Sequence, residues 1–273
     1  MNISKGKKKI ITMSYDMTYD EFIDYYNNSL CMGLLDEDET ITVNGLKYKI
    51  VDGEVQITRL DYDDKDNPLT NNGAMVRVIL PPFVSSINSS AFMSCENLVE
   101  ISGDGVKYVD IDAFNACVRL QKVNFPNLTY IGHAAFCDCF SLTEIDLRNC
   151  EKIKSEAFYR CVALTELNAP KLTKCCLAVF SNCYSLTKCN LDSVNHIADN
   201  AFLNCFRLKK VYAPKIIFGL PYELERMTTT FTVFSGCIEL SELLVGTYVG
   251  TLEYFHRKFF NCTLLYDRHV KIQ

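Results

Sequence analysis

Apolar residues recur along this chain with a step of 22 residues. The pattern Phe-x-x-Cys-x-x-Leu occurs six times at that step, and twice more after steps of 32 and 25 residues. Its copies begin at Phe92, Phe114, Phe136, Phe158, Phe180, Phe202, Phe234 and Phe259. Ala or Val directly precedes each of the six regular Phe residues. Ile, Val or Cys stands four positions before that Ala or Val. One such unit cannot bury its apolar side alone, so the period predicts a solenoid of stacked coils.

The residues that follow each Leu predict a short strand. Val123 and Phe125 alternate with polar residues, as one face of a strand requires. Strands of successive coils then pair about 4.8 Å apart in a parallel sheet, and Pro126, Pro170 and Pro214 stop them. The Ala-Phe-x-x-Cys stretch is too short for a long helix. We therefore predict right-handed coils with parallel strands on the concave face and short helical or 3₁₀ turns on the convex face.

The repeat as a whole resembles that of the BspA-like leucine-rich-repeat family. The resemblance is carried by the repeated Ala-Phe-x-x-Cys-x-x-Leu, the aliphatic residue four before the Ala, and the Pro after the strand. It covers about residues 76–267 and leaves the first 75 residues without a match. The resemblance implies a leucine-rich-repeat solenoid that binds other proteins or cell surfaces, with no common catalytic residues.

The 14 cysteines are interpreted mainly as core residues. Eight belong to the repeat, and Cys150, Cys175 and Cys189 occupy aliphatic columns, where a small apolar side chain fits. Zinc is the first alternative, but Cys137-x-Cys139 and Cys175-Cys176 lack the second Cys pair or His that zinc sites use. Disulfides between stacked coils remain the second alternative, for a chain in an oxidising compartment.

Residues 1–75 lack the repeat and predict a small α+β region. Thr18-Tyr-Asp-Glu21 fits a capping box before a helix from about Tyr19 to Met32. Ile41–Ile50 with its Asn44-Gly45 turn predicts a hairpin, and Val55–Leu60 a third strand. This region either caps the first coil or acts as a separate module. The predicted division is thus 1–75 and a solenoid at 76–273, of about eight coils with an insertion near 217–230.

Charge and motifs disfavour several classes of function. Residues 1–75 hold 8 basic and 14 acidic residues, a balance of −6, and the rest hold 20 and 19, a balance of +1, so no basic excess predicts a nucleic-acid partner. No apolar run approaches the roughly 18 residues of a membrane helix. The apolar stretch behind Lys5–Lys9 is too short for a signal peptide, which predicts a cytoplasmic protein; a surface or host-delivered location is the alternative that the family implies. The four His residues fit no metal signature, and we predict no catalytic, cofactor or metal site.

The outward positions of the strands give the candidate binding residues. Two and four positions after the repeat Leu, and in the insertion, these are Glu100, Lys122, Asn124, Glu144, Asp146, Glu166, Asn168, Lys188, Asn190, Lys210, Tyr212 and Tyr222. A rigid concave array of polar groups predicts a non-catalytic module that binds a protein partner through this face and the 218–230 insertion. Three alternatives remain open: a solvated face without a partner, a scaffold that presents an effector or enzyme inhibitor in residues 1–75, and a cell-surface adhesin.

Overall fold

The computed structural model describes residues 10–14, 18–31, 40–43, 46–58, 69, 75–218, 233–248 and 271–272. Within them one helix, α1, spans Tyr19–Cys31. The strands are β1 Ile10–Ser14, β2 Ile41–Val43, β3 Leu46–Val51, β4 Glu54–Ile57, β5 Met75–Ile79, β6 Val84–Ile87, β7 Leu98–Ser102, β8 Tyr108–Val109, β9 Lys122–Asn124, β10 Tyr130–Ile131, β11 Glu144–Ile145, β12 Lys152–Ile153, β13 Glu166–Asn168, β14 Lys174–Cys175, β15 Lys188–Asn190, β16 His196–Ile197, β17 Lys210–Phe218, β18 Glu242–Tyr248 and β19 Lys271–Ile272.

Each regular coil contributes one strand to each of two parallel sheets. The first sheet is the predicted concave face, with strand order β1-β5-β7-β9-β11 and, in a separate ladder, β13-β15-β17-β18-β19. The second sheet has the order β16-β14-β12-β10-β8-β6-β4-β3-β2. Residues one coil apart are direct partners, as Ile131 pairs with Val109 and Ile153. The repeat therefore sets the register, because a one-residue slip would turn every buried side chain outward.

The repeat Phe rings form a continuous stack through the interior. Neighbouring rings from Phe92 to Phe234 lie 5.1 to 5.4 Å apart between centroids, with interplanar angles of 3° to 21°. All of them are fully buried. The stack confirms the predicted core and makes each ring part of the contact surface of two coils.

The repeat Cys side chains stabilise the backbone of the preceding coil. The Sγ–H of Cys117 donates to the carbonyl of Phe92 at 2.9 Å, and Cys139 donates to Phe114 at 3.2 Å. The same bond recurs from Cys161, Cys183, Cys205 and Cys237, at 3.1 to 3.2 Å. A thiol thus fills a small buried site and gives a buried carbonyl a donor, which neither Ala nor Val supplies.

The turns on the convex side are short, as predicted, but their backbone is not regular helix. Two residues per turn, four positions apart, have positive φ, such as Asp112 at 54° and Ala116 at 60°. These left-handed residues interrupt any continuous helical hydrogen bonding. The turns instead bond to the next coil, as the N–H of Phe92 donates to the carbonyl of Ala113 at 2.7 Å. Hydrogen bonds between stacked coils therefore stabilise the turns as well as the strands.

The N-terminal region contains the predicted capping box, helix and three antiparallel strands. The N–H of Thr18 donates to the Glu21 carboxylate at 2.8 Å, and the N–H of Glu21 donates back to Thr18 Oγ1 at 3.3 Å. Strands β2, β3 and β4 form the meander. Strand β4 pairs with β6, and β1, which the sequence analysis missed, pairs with β5. Phe22 of α1 contacts Tyr48 and Phe83, with centroids 5.3 and 5.1 Å apart.

Some sequence predictions fall outside the described residues. These are the Asn44-Gly45 turn, most of the 217–230 insertion including Tyr222, and the last repeat at Phe259. The division into 1–75 and 76–273 also stays a prediction. Among the described residues, no helix is long and apolar enough to cross a membrane.

Candidate functional site

The first sheet arranges most predicted binding residues in two outward columns. Glu100, Lys122 and Glu144 are successive partners on β7, β9 and β11. Further along, Glu166, Lys188 and Lys210 are successive partners on β13, β15 and β17. In the described residues no strand pairing joins β11 to β13. The predicted residues therefore fall into two groups, one on each side of this interruption.

A groove of about 1100 Å³ opens on the C-terminal group. Six predicted residues line it, namely Glu166, Asn168, Lys188, Asn190, Lys210 and Tyr212. It is lined by the first residues of β17 and β18, together with β13 and β15. The ring of Tyr212 is 41% exposed, so this groove combines an available aromatic side chain with charged and amide groups.

Other lining residues were missed by the sequence analysis. Ser241, Glu242 and Leu244 belong to β18 or precede it, and Asp192 follows β15 closely. A signal for two of them was present, because Glu242 and Leu244 stand two and four positions after the repeat Leu240. The sequence analysis did not assign these two residues to the columns, because the step of 32 residues before Phe234 breaks the regular spacing of 22.

Ion pairs between coils neutralise much of the charge on this sheet. Arg77 pairs with Glu100 at 2.7 Å, Lys122 with Glu144 at 3.3 Å, and Lys210 with Glu242 at 2.9 Å. In the part of the chain that the structure describes, Glu166 and Lys188 form no ion pair. Both side chains are exposed. The centre of the groove thus presents one carboxylate and one ammonium group to solvent.

Two amides in the groove are stacked and hydrogen-bonded. The amide nitrogen of Asn190 donates to Asn168 Oδ1 at 3.1 Å. Its own Oδ1 is shielded from solvent and accepts no bond from the residues described. A buried acceptor without a donor costs free energy, so this oxygen is a point of local strain in the sheet.

The predicted residues on the N-terminal half do not line this groove. Asn124 is exposed on β9. Asp146 is engaged locally, since the Arg148 guanidinium donates to its carboxylate at 2.7 to 3.2 Å and the Arg148 N–H at 3.0 Å. The bonds from Arg148 lower the pKa of Asp146. The Asp146 carboxylate therefore stabilises the turn that contains Arg148.

The thiols lack the environment of nucleophiles. Burial raises the pKa of Cys95 to about 12 and that of Cys117 well above its ordinary value. The half-buried Cys137 has a pKa raised to about 11, mainly by burial and then by Asp138. Low thiolate content makes such groups unreactive. No cluster of His, Cys, Asp or Glu suited to a metal occurs among the described residues.

A family model for the BspA type leucine rich repeat region matches residues 66–175 and 107–226, with six copies. The matched residues exceed half of the chain. The chain belongs to the BspA-type leucine-rich-repeat family. This agrees with the repeat and with the two parallel sheets, and members of the family generally serve as protein-interaction scaffolds.

Solved leucine-rich-repeat structures share the fold. A protein of Bacteroides ovatus is 21% identical with a TM-score of 0.54, over 82% of this chain and 69% of that one. A Treponema pallidum leucine-rich-repeat protein is 22% identical with a TM-score of 0.48, over 82% and 90%. No curated protein matches the sequence. The likeness to the Bacteroides protein concerns the fold alone.

Proposed function

We propose that this protein binds a protein partner through the groove on the first sheet and catalyses no reaction. The observation that carries the proposal is the gathering of six outward repeat residues around one hollow. Protein interfaces combine aromatic anchors with a polar rim. Tyr212 and Leu244 supply apolar surface, and the lysines, carboxylates and amides around them supply the rim.

The groove also offers groups that the fold itself leaves available. Glu166 and Lys188 are adjacent in register without an ion pair among the described residues, whereas the neighbouring Lys210 is paired with Glu242. A partner with one basic and one acidic side chain at matching spacing would satisfy both. These features favour a polypeptide with a mixed polar and aromatic or aliphatic contact surface.

Site-specific photo-crosslinking tests the proposal. A photoreactive residue at position 212 in the full chain should give a discrete protein adduct in extracts of the native host. Glu166→Lys combined with Lys188→Glu should abolish that adduct, because both exposed charges are reversed. A photoreactive residue at Asn124, an exposed position in the same column, is the control. Identical adducts at positions 124 and 212, or an adduct insensitive to the reversals, would contradict the proposal.

We infer that the N-terminal region caps the first coils and is not a separate effector module. The supporting observations are the pairing of β1 with β5 and β4 with β6, together with the contacts of Phe22. Bare strand edges and an open core need such cover. Residues 76–273 expressed alone should then aggregate or bind a hydrophobic dye. A stable, monomeric 76–273 fragment would contradict the cap.

We propose a reducing compartment, the cytoplasm, as the site of action. Twelve cysteines among the described residues are free thiols, and thiols persist in reducing compartments. Imaging of the tagged full chain in its host tests this. Recovery of the protein from the cell surface would contradict it and would favour an adhesin.

A further inference from the structure

The second sheet has an outward row that changes character along the solenoid. The row consists of Ser86, Tyr108, Tyr130, Lys152, Lys174 and His196. Neighbours in it are register partners, except that Lys152 and Lys174 each precede one residue of the pair Ile153 and Cys175. Six strands at about 4.8 Å spacing make this row roughly 24 Å long. One end carries hydroxyl and aromatic groups, and the other end carries cations.

The cationic end contains four lysines, Lys152, Lys154, Lys171 and Lys174, here called the lysine patch. All four are exposed, and none forms an ion pair with another described residue. Lys171 Nζ donates to the amide oxygen of Asn149 at 2.8 Å. With Glu151, the exposed carboxylate beside Lys152, the patch has a formal charge of +4 − 1 = +3. Like charges on adjacent strands are destabilising, so fold stability does not account for this arrangement.

A hollow of about 520 Å³ lies against the end of the patch. Ser155, Lys174, Asn195 and His196 line it together with Leu177 and Ala198. The residues around this hollow thus carry a hydroxyl, an ammonium, an amide and an imidazole group beside its apolar wall. This is a donor set that suits a sulfate or carboxylate substituent.

The other end of the row has a second hollow, of about 590 Å³. The side chains of Gln56, Ser86 and Asn88 line it beside the rings of Tyr108 and Tyr130, whose centroids are 6.4 Å apart. Tyr108 is 44% exposed. Aromatic faces provide apolar platforms with a polar tip, and the amide and hydroxyl groups around them can bond to the hydroxyls of a sugar ring.

A carboxylate in this second hollow disfavours two classes of anionic partner, nucleic acids and anionic lipid bilayers. Asp110 lines the hollow and accepts a hydrogen bond from the Ser89 hydroxyl at 2.7 Å. A single-stranded nucleic acid carries a phosphate on every nucleotide, so it would set phosphates against Asp110. A bilayer of anionic lipids would do the same with its headgroups. Sugar hydroxyls, in contrast, donate to a carboxylate.

We infer that the second sheet binds a linear acidic polysaccharide. Neutral sugar rings pack on Tyr108 and Tyr130 and bond to the polar groups around them. Sulfate or carboxylate substituents further along the polymer bind the lysine patch and the hollow at His196. The surface is distinct from the groove of the first sheet, so this inference does not depend on the proposed protein-binding function. Sulfated polysaccharides lie outside cells, so the inference requires a surface location and is an alternative to the proposed cytoplasmic one.

Fluorescence anisotropy of the full chain with a labelled heparin hexasaccharide tests the inference. Replacing the four lysines of the patch with Gln should weaken binding about tenfold or more, where tenfold corresponds to 1.4 kcal/mol. The matched control replaces four first-sheet lysines, Lys122, Lys188, Lys209 and Lys210, with Gln. It removes the same charge and should change binding by no more than about twofold. Urea unfolding of each variant verifies that it is folded.

Tyr108→Ala separates sugar recognition from attraction between charges alone. This side chain is largely exposed, so the variant should fold, and it should still weaken heparin binding by about fivefold. A dT oligonucleotide of matched charge and phosphatidylserine vesicles should bind more weakly than heparin. Equal losses in the patch and control variants, no effect of Tyr108→Ala, tighter binding of the oligonucleotide or vesicles, or no heparin binding would each overturn the inference.

Discussion

The two sheets share one interior and differ in how they arrange surface charge. On the first sheet, Lys210 faces Glu242 from the neighbouring coil and Lys122 faces Glu144. On the second sheet, Lys174 has Lys152 and His196 as its neighbours and no carboxylate partner among the described residues. The interior columns are constrained by packing, whereas the outward columns are free to vary. The difference indicates that the outer faces of one coil carry separate roles.

Alkaline pH should weaken the shared interior most strongly. Burial raises the pKa of the ladder thiols above their ordinary value of 9.0, so the folded state keeps protons that the unfolded chain releases. Their contribution to stability is therefore complete below about pH 9 and is lost as the pH rises toward the folded pKa values. Each such thiol lowers the free energy of unfolding by up to about 1.4 kcal/mol per pH unit in that window.

Urea unfolding between pH 8 and pH 11 measures this loss. Cys161→Ala should unfold more easily at pH 8, by about 0.5–1.5 kcal/mol, because the carbonyl of Phe136 keeps the Cys139 N–H but loses the Cys161 thiol. The same variant should show a shallower dependence on pH, since one titrating thiol is gone. A wild-type stability that stays constant up to pH 11 would contradict the buried ladder.

Removal of one ring should damage both sheets together. Phe136→Ala should lower the free energy of unfolding by about 3–5 kcal/mol, because the ring stacks on Phe114 and Phe158 and is fully buried. Phe140→Ala is the matched control. Phe140 is only half-buried, beneath the Arg160 guanidinium. Its replacement should therefore lower the free energy of unfolding by less than half as much as Phe136→Ala does. Chemical denaturation measures the free energy of unfolding of both variants. Equal losses of stability in Phe136→Ala and Phe140→Ala would argue against the ring stack.

The same charge reversal should have opposite effects on the two sheets. Lys174→Glu places a carboxylate beside Lys152 and should stabilise the fold by about 0.2–1 kcal/mol. Lys122→Glu breaks the pair with Glu144, places a third carboxylate in register between Glu100 and Glu144, and should destabilise the fold by a similar amount. Urea unfolding at low ionic strength measures both, and high salt should reduce the difference. Changes of the same sign would refute the contrast in surface charge between the two sheets.

The sequence predicted the first sheet, the Phe and Cys columns and the N-terminal helix because burial imposes a strict period on them. It did not predict the second sheet. Each regular strand there has only two residues, as in Tyr130–Ile131, and one buried side chain gives no alternation. Strand β1 was missed because Ile10–Ser14 is short and directly follows the basic cluster Lys5–Lys9.

The outward residues were predictable, but their grouping was not. The columns located Glu166, Lys188 and Tyr212 on one face, since strand alternation determines which side chains point outward. Which of them form ion pairs depends on side-chain geometry across coils. The groove further depends on which residues of β13, β15, β17 and β18 come together across four coils. No local pattern in the sequence encodes these features.

Alkylation of native cysteines, followed residue by residue by mass spectrometry, tests the shared interior most directly. At pH 8 the repeat cysteines from Cys95 to Cys237 should stay unmodified until the chain is unfolded, because they are buried and protonated. Cys137 and Cys176, which are half-buried, should be modified first. Prompt modification of the repeat cysteines in the folded protein, or a zinc ion or disulfide protecting them, would contradict the account.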